Sequence, residues 1–338
     1  MSPAYVRFPS WITPEIFPGV EWLPIRWYGL MYVVAFAVAY GLFMLQVRRR
    51  KLPLDPDDIA GFFFSAILGL LLGARVFHAL VYDPSGYYWT HPWLIFWPFQ
   101  GGRLVGLQGM SYHGGAIGAL IGVMLYTRKH KLDLLAWGDM LAVAIPLGYT
   151  FGRLGNFING ELWGKVTSSP IGMVFPHAAR FDTTLPWVRE VAEKAGMSLE
   201  GLSRVNLPRH PSQLYEALFE GVVLWALLWL LARPPRFWKG FQIGAYFAGY
   251  GAIRFVIEYF REPDEQLGYI LELGGRGAST HLFESPWNFS MGQLLCLLMI
   301  AGGGAFMAWS KARAKREAAL AAEAGAKPST RKLKKKLK

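Results

Sequence analysis

Cysteine is nearly absent: Cys296 is the only one in 338 residues. No disulfide can close within the chain, whatever compartment it occupies. Cys296 stands in the apolar run 294–300 and reads as a buried small hydrophobe, not a nucleophile. Charge is also scarce, at 17% of residues against 53% hydrophobic, with a mean hydropathy of +0.25. That balance excludes an ordinary soluble domain and describes a polytopic membrane protein. The seven histidines are scattered, and no Asp-rich motif suited to a Mg²⁺–diphosphate appears, so no metal site is expected. Asp55, Asp57 and Asp58 stand beside prolines and read as a helix start. A cleavable signal peptide is not expected, because the first long apolar run begins near Tyr28. No internal repeat is visible, so an inverted-repeat transporter gains no support.

Long apolar runs are what the chain has in plenty. They predict an all-α membrane protein with seven transmembrane helices, near 27–47, 59–82, 112–127, 134–151, 213–232, 242–259 and 289–309, the third being the shortest. Fourteen tryptophans fit aromatic belts at both membrane surfaces. Basic residues mark alternate loops: Arg48, Arg49, Arg50 and Lys51, then Arg128, Lys129 and Lys131, then Arg233, Arg236 and Lys239. The segment 83–111 carries only Arg103. The positive-inside rule therefore puts the N-terminus outside and the C-terminus in the cytoplasm.

Four regions follow. Residues 1–164 hold helices one to four and an aromatic interfacial arm at 83–111. Residues 165–211, with five prolines, read as a small extracytoplasmic head domain, with a short strand near 171–175 and a short helix near 186–195. Residues 212–310 hold helices five to seven. Residues 311–338 form a basic cytoplasmic tail with eleven lysines and arginines. The net charge of +12 is concentrated there, which points to anionic lipid, with RNA as the lesser alternative.

Glycines recur every fourth residue at Gly114, Gly118 and Gly122, at Gly69 and Gly73, and at Gly148 and Gly152. On helices these make flat faces for close crossings.

The densest chemistry lies in 152–164, where Arg153, Asn156, Asn159 and Glu161 follow the apolar run 137–151. Polar groups are costly in lipid and usually functional there. Their composition is that of an anion pocket at a membrane interface, although a capping and ion-pair cluster that merely ends the helix would use the same residues. Tyr250, Arg254, Glu258 and Arg261 share one stripe of helix six and its extension. The plain reading is an Arg254–Glu258 salt bridge, with Arg261 snorkelling to the interface. The functional reading is that Arg153 and Arg254 converge on a phosphate, which the planar guanidinium fork suits. His113 begins helix three beside Gly114 and Gly115 and is a candidate proton acceptor. Arg75 and His78 read as structural, and Asp139 as a packing or partner group. Gly109-Met110-Ser111-Tyr112 is close to an intramembrane protease motif but lacks the glycine after serine.

These segments together resemble one family. Gly152–Gly164 is similar to the signature of the bacterial phosphatidylglycerol–prolipoprotein diacylglyceryl transferases. So are Ile25-Arg26-Trp27-Tyr28-Gly29-Leu30-Met31-Tyr32, Tyr112-His113-Gly114-Gly115, Gly138-Asp139 with Pro146, Arg209-His210-Pro211-Ser212-Gln213-Leu214-Tyr215-Glu216, Arg254–Glu258, and Arg261-Glu262-Pro263-Asp264. The resemblance implies transfer of a diacylglyceryl group from phosphatidylglycerol to the lipobox cysteine of a prolipoprotein signal peptide, releasing glycerol 1-phosphate, in the bacterial inner membrane. It implies His113, Arg153 and Arg254 as catalytic, with Tyr28, Asn156, Asn159, Glu161, Gly164, Tyr250, Glu258 and Arg261 around the substrate. That chemistry needs no cofactor and no enzyme cysteine. A transporter for an anionic solute, with the same arginines as its binding site, is the alternative.

Overall fold

The structure is a computed structural model that describes residues 5–19, 25–100, 103–104, 109–233, 237–262, 268–275 and 277–323. Arg236, Pro263, Asp264 and the tail beyond residue 323 lie outside the described residues.

Helices dominate. They are α1 (Trp27–Arg49), α2 (Pro56–Phe77), α3 (Tyr112–Lys129), α4 (Leu134–Ile158), α5 (Pro186–Lys194), α6 (Ser212–Leu231), α7 (Phe241–Ile257) and α8 (Met291–Glu323). Five stretches are long and apolar enough to cross a membrane: Trp27–Arg49, Pro56–Tyr82, Leu134–Ile158, Ser212–Leu231 and Met291–Ala322. The other two expected spans are helical as α3 and α7. The shorter of these is α7, at 17 residues against 18, which corrects the expectation for the third helix.

Local signals explain the helix ends. Asp55 Oδ1 accepts from Asp57 N at 2.9 Å with Pro56 in the first turn, so Asp55 caps α2 as the sequence suggested. Ser111 Oγ accepts from Gly114 N at 3.1 Å and starts α3. Asp139 caps a different helix, accepting from Gly240 N at 2.7 Å and Ile243 N at 3.0 Å at the start of α7. The last helix does not stop at 309. It runs on to Glu323, with Arg313 and Glu317 paired at 3.0 Å across one turn.

The chain divides into two compact units. One comprises residues 45–137 and 318–338. Its centre is the α2–α3 pair. A Cβ built on Gly118 would collide with the Gly69 carbonyl, and one on Gly114 with that of Gly73. Lipid tails are as apolar as the helices, so close van der Waals approach, not water exclusion, holds such a pair. Beyond Phe77 the chain makes a π turn, His78–Tyr82. Arg75 then pins the aromatic arm, donating from Nε to Ile95 O at 2.5 Å and from Nη2 to Tyr88 Oη at 2.9 Å. Trp89, Trp93 and Trp97 of that arm are exposed.

The other unit comprises residues 1–44 and 138–317. Val143 of α4 packs with Leu224 and Leu228 of α6 and with Tyr250 and Ile253 of α7. Gly251 of α7 lies against the Cys296 carbonyl of α8. The segment 164–211 has a core of its own, Val166, Phe181, Trp187, Val188, Val191, Ala192, Val205 and Leu207. Its short helix is α5, and its strand Met173–Val174 pairs in parallel with Val6–Arg7.

Candidate active site

α4 continues seven residues past its expected end at 151, reaching Ile158. Arg153 and Asn156 are therefore helical residues, not a cap beyond the helix. The extension holds because its polar groups find partners. Arg153 Nε donates to Tyr149 Oη at 2.5 Å, and its Nη1 reaches Asn156 Oδ1 at 3.4 Å. Asn156 Nδ2 donates to Glu161 Oε1 at 2.9 Å, and Asn159 Nδ2 donates to the same oxygen at 3.3 Å. Gly160, at φ +65°, turns the chain so that Glu161 can reach back.

α6 supplies the acids. Its first turn passes into a π segment, Glu216–Val223. Thr150 Oγ1 of α4 donates to Ala217 O at 3.2 Å, one of the carbonyls in that segment. Such bulges favour functional positions. Glu216 and Glu220 lie within it, and both are fully buried.

The arginines meet there. Glu216 Oε2 lies 2.8 Å from Arg153 Nε and 3.2 Å from Arg254 Nη1. Glu216 Oε1 accepts from Arg261 Nη1 at 2.6 Å. Glu220 Oε2 accepts from Tyr149 Oη at 2.5 Å, while its Oε1 lies 3.4 Å from Arg254 Nη1. Glu258 Oε2 closes the network, 3.1 Å from Arg254 Nη2 and 3.5 Å from Arg261 Nε, and Ser290 Oγ donates to Glu258 Oε1 at 3.3 Å. Arg261 is thus drawn inward and does not snorkel. The network sets three guanidinium groups against three carboxylates. The acids Glu216 and Glu220 have side chains 0% exposed, whereas Arg153, Arg254 and Arg261 keep 15–20% of theirs open.

The remaining expected residues frame this cluster or stand apart. Tyr250 meets Tyr149 edge to face, ring centroids 6.0 Å apart. Tyr28 shares a hydrogen bond with Tyr32 at 2.8 Å, and Gly155 leaves room for its ring. Gly164 is required for backbone fit: its N donates to His210 O at 2.8 Å, and a Cβ would collide with Phe260 O. His113 belongs to the other unit, where Nδ1 shares a hydrogen bond with Tyr82 Oη at 2.8 Å.

Sequence reasoning passed over several groups. Glu216 appeared only inside a motif, and Glu220, Tyr149 and Gln213 were not singled out. Two glutamates four apart in an otherwise uncharged apolar run were the available signal. Arg209, fully buried, likewise appeared only inside a motif. Its Nη1 donates to Glu262 Oε2 at 2.6 Å, and the guanidinium stacks over the Trp163 and Phe181 rings. Its Nε and Nη2 have no hydrogen-bond partner among the described residues. His281 Nδ1 holds the other Glu262 oxygen. Burial works against the Glu262 charge, yet His281 and Arg209 keep its carboxyl below the usual range. Burial depresses Lys165 to about 8, and its Nζ donates to Tyr269 Oη at 2.6 Å. Burial, aided by Lys165, lowers His210 to about 4, so it is neutral at physiological pH.

This mostly helical membrane protein encloses a charge-balanced cluster, with acids sealed and arginines partly open. The class is a membrane protein with a polar site inside its helices. The chain belongs to the prolipoprotein diacylglyceryl transferase family, whose model matches residues 15–309. It is 52% identical over 312 residues to the phosphatidylglycerol–prolipoprotein diacylglyceryl transferase of Treponema pallidum (strain Nichols), covering 88% of this chain and 93% of that protein. It is 44% identical over 317 residues to the protein of that name from Chlorobaculum tepidum, covering 91% and 93%. The one from Burkholderia mallei (strain SAVP1) is 40% identical over 302 residues, covering 86% and 92%.

Proposed function

We infer that this protein transfers the diacylglyceryl group of phosphatidylglycerol to the lipobox cysteine of prolipoproteins and releases glycerol 1-phosphate. Family membership and the relatives' names support the reaction. One observation carries the reading of the site: Arg153 Nε and Arg254 Nη1 converge on a single anionic oxygen, now that of Glu216. A lipid phosphate oxygen meets the same donors.

In the reaction the thiol sulfur attacks the glyceryl CH₂ carbon. The S–C bond forms as the C–O bond breaks, and the electron pair stays on the phosphate oxygen. Preorganised guanidinium groups stabilise that growing charge, an effect worth several kcal/mol in a dry site. A thiol with a pKa near 8.5 is mostly protonated at neutral pH, so its proton must be taken up. His113 either accepts it or orients the headgroup. Tyr28, Tyr250, Asn156, Asn159 and Glu161 shape the pocket for the lipid.

With α3 and α7 completing the five long apolar stretches as seven membrane crossings, the basic alternate loops support an N-terminus and a 165–211 head on the outside. The site then faces the extracytoplasmic side of the bacterial inner membrane. Exposed Trp89, Trp93 and Trp97 suit an interfacial arm, and the basic tail suits anionic lipid.

The test is direct. Purified protein is incubated with phosphatidylglycerol and a lipobox peptide, and the peptide is weighed. A thioether-linked diacylglyceryl mass increase, lost in Arg254→Ala, is expected. An unmodified peptide alongside vesicle uptake of a phosphorylated solute would favour a transporter instead.

A further inference from the structure

Three arginines around one phosphate pose a problem at the end of the reaction. The lipid carries a phosphodiester with one negative charge. The product is a phosphomonoester, which carries up to two. A bare tri-cationic site would bind the product more tightly than the substrate, because Coulomb attraction scales with the ligand's charge. The enzyme would then be trapped by what it makes.

The network removes that asymmetry. With Glu216, Glu220 and Glu258 ionised, three carboxylates balance the three guanidinium groups they contact before any lipid arrives. Glu216 and Glu258 each contact two or more arginines and fix their geometry. Glu220 does little of that: its one arginine contact is the 3.4 Å approach to Arg254, and its other oxygen accepts from Tyr149. Its charge is thus the part of the network least needed for holding the arginines in place. The groups facing it are Tyr149 and Arg153 from α4, Glu216 from its own helix, and Arg254 from α7. Cys296 lies on the packed α8.

We propose that Glu220 is a specificity-determining residue: its buried carboxylate lets the site hold a monoanionic phosphodiester and reject the more highly charged phosphomonoester product. The proposal rests on the reading of the arginines as the phosphate site.

The measurement is competitive inhibition of transfer at pH 7.5 by two soluble probes, glycerol 1-phosphate and glycerophosphoglycerol. The first is mostly dianionic there; the second is a monoanion. Wild type should prefer the diester or treat the two alike. Glu220→Gln, which keeps a hydrogen-bond acceptor for Tyr149, should shift the ratio of the two inhibition constants toward glycerol 1-phosphate by about tenfold or more. Glu220→Asp retains the charge and should keep the wild-type ratio, which a purely structural role would not predict. A second measurement needs no variant. From pH 7.5 to 5.5 glycerol 1-phosphate loses its second charge, so its inhibition of wild type should strengthen relative to the diester. An unchanged ratio in Glu220→Gln, or no inhibition by glycerol 1-phosphate in either protein, overturns the proposal. If Arg254→Lys also alters neither constant, the arginines are not the phosphate site and the underlying reading falls with it. If Arg254→Lys weakens both probes while Glu220→Gln leaves their ratio fixed, only the role of Glu220 is lost.

Discussion

Two buried arginine clusters in this chain are built in opposite senses. In the cluster of α4, α6 and α7, Glu216 and Glu220 are sealed at 0% exposure while Arg153 and Arg254 keep 19% and 15% of their side chains open. In the 164–211 region the arginine is sealed: Arg209 is at 0% and its partner Glu262 at 20%. The first cluster shares each acid among several donors and presents the donors outward. The second surrounds one guanidinium with two aromatic rings and one carboxylate. A guanidinium at the edge of a network can take a new anion. One caged by rings only holds the fold together.

The strongest way to break this comparison is to remove one arginine from each. Arg254→Ala should lower transfer by about a hundredfold to a thousandfold, the usual loss of an oxyanion donor. Arg254→Lys should restore little of it, since a point charge lacks the fork. A turnover assay that finds Arg254→Ala near wild type would end the functional distinction. Arg209→Ala should act on stability, by about 1.5–3 kcal/mol, because it removes one of the two charged partners of Glu262 and leaves His281 as the other. Thermal unfolding in detergent reads this directly, and the rate per folded molecule should stay near wild type.

A finer test asks whether a proton acceptor lies outside the arginine cluster. If His113 is the base, His113→Gln should cost about a hundredfold at neutral pH and recover as the thiol ionises unaided. An equal loss at every pH means that it orients the headgroup, and a wild-type profile removes it from the mechanism.

Lys165 sharpens the contrast on the structural side. Burial moves it from 10.5 to about 8, so between those values the unfolded chain holds a proton that the folded chain lacks. Stability must therefore rise with pH across that window, and the penalty is full below pH 8. Lys165→Met should abolish the rise, so the variant's melting temperature should exceed wild type most below pH 8 and the gap should narrow toward pH 10.5. The smallest effect belongs to Cys296, buried against Gly251, because the thiol that reacts belongs to the substrate. Cys296→Ser should transfer at nearly the wild-type rate in the same assay.

Much of this was legible in the chain. Apolar runs located the long helices, because the bilayer thickness sets their length. Glycine spacing marked faces for close crossings without saying which helices pair; the stripes of α2 and α3 do meet each other, whereas Gly152 of α4 has open space beside it. The arginines stood out because charge in an apolar run is costly. Glu216 and Glu220 were legible by the same rule, as two acids four apart on one helix face, but the π segment that carries them was not, because no residue pattern marks it. The end of α4 was missed for a related reason. Hydropathy falls at Phe151, but Glu161, folding back onto Asn156 and Asn159, keeps the helix polar and intact to Ile158. Such tertiary satisfaction leaves no mark on hydropathy.

The π segment has a consequence for what this protein tolerates in its own length. A π turn is an α-helix carrying a surplus residue. Deleting Leu218 would let the stretch close to regular α geometry with the helix beyond it kept in register, because the π turn is what absorbs the surplus residue. Glu216 and Glu220 would then stand three residues apart and lose the wide turn that carries both, even with every charged residue still present. At this place the spacing of the chain is a constraint beside its side chains, and this deletion should lower transfer while the rest of the helix stays folded.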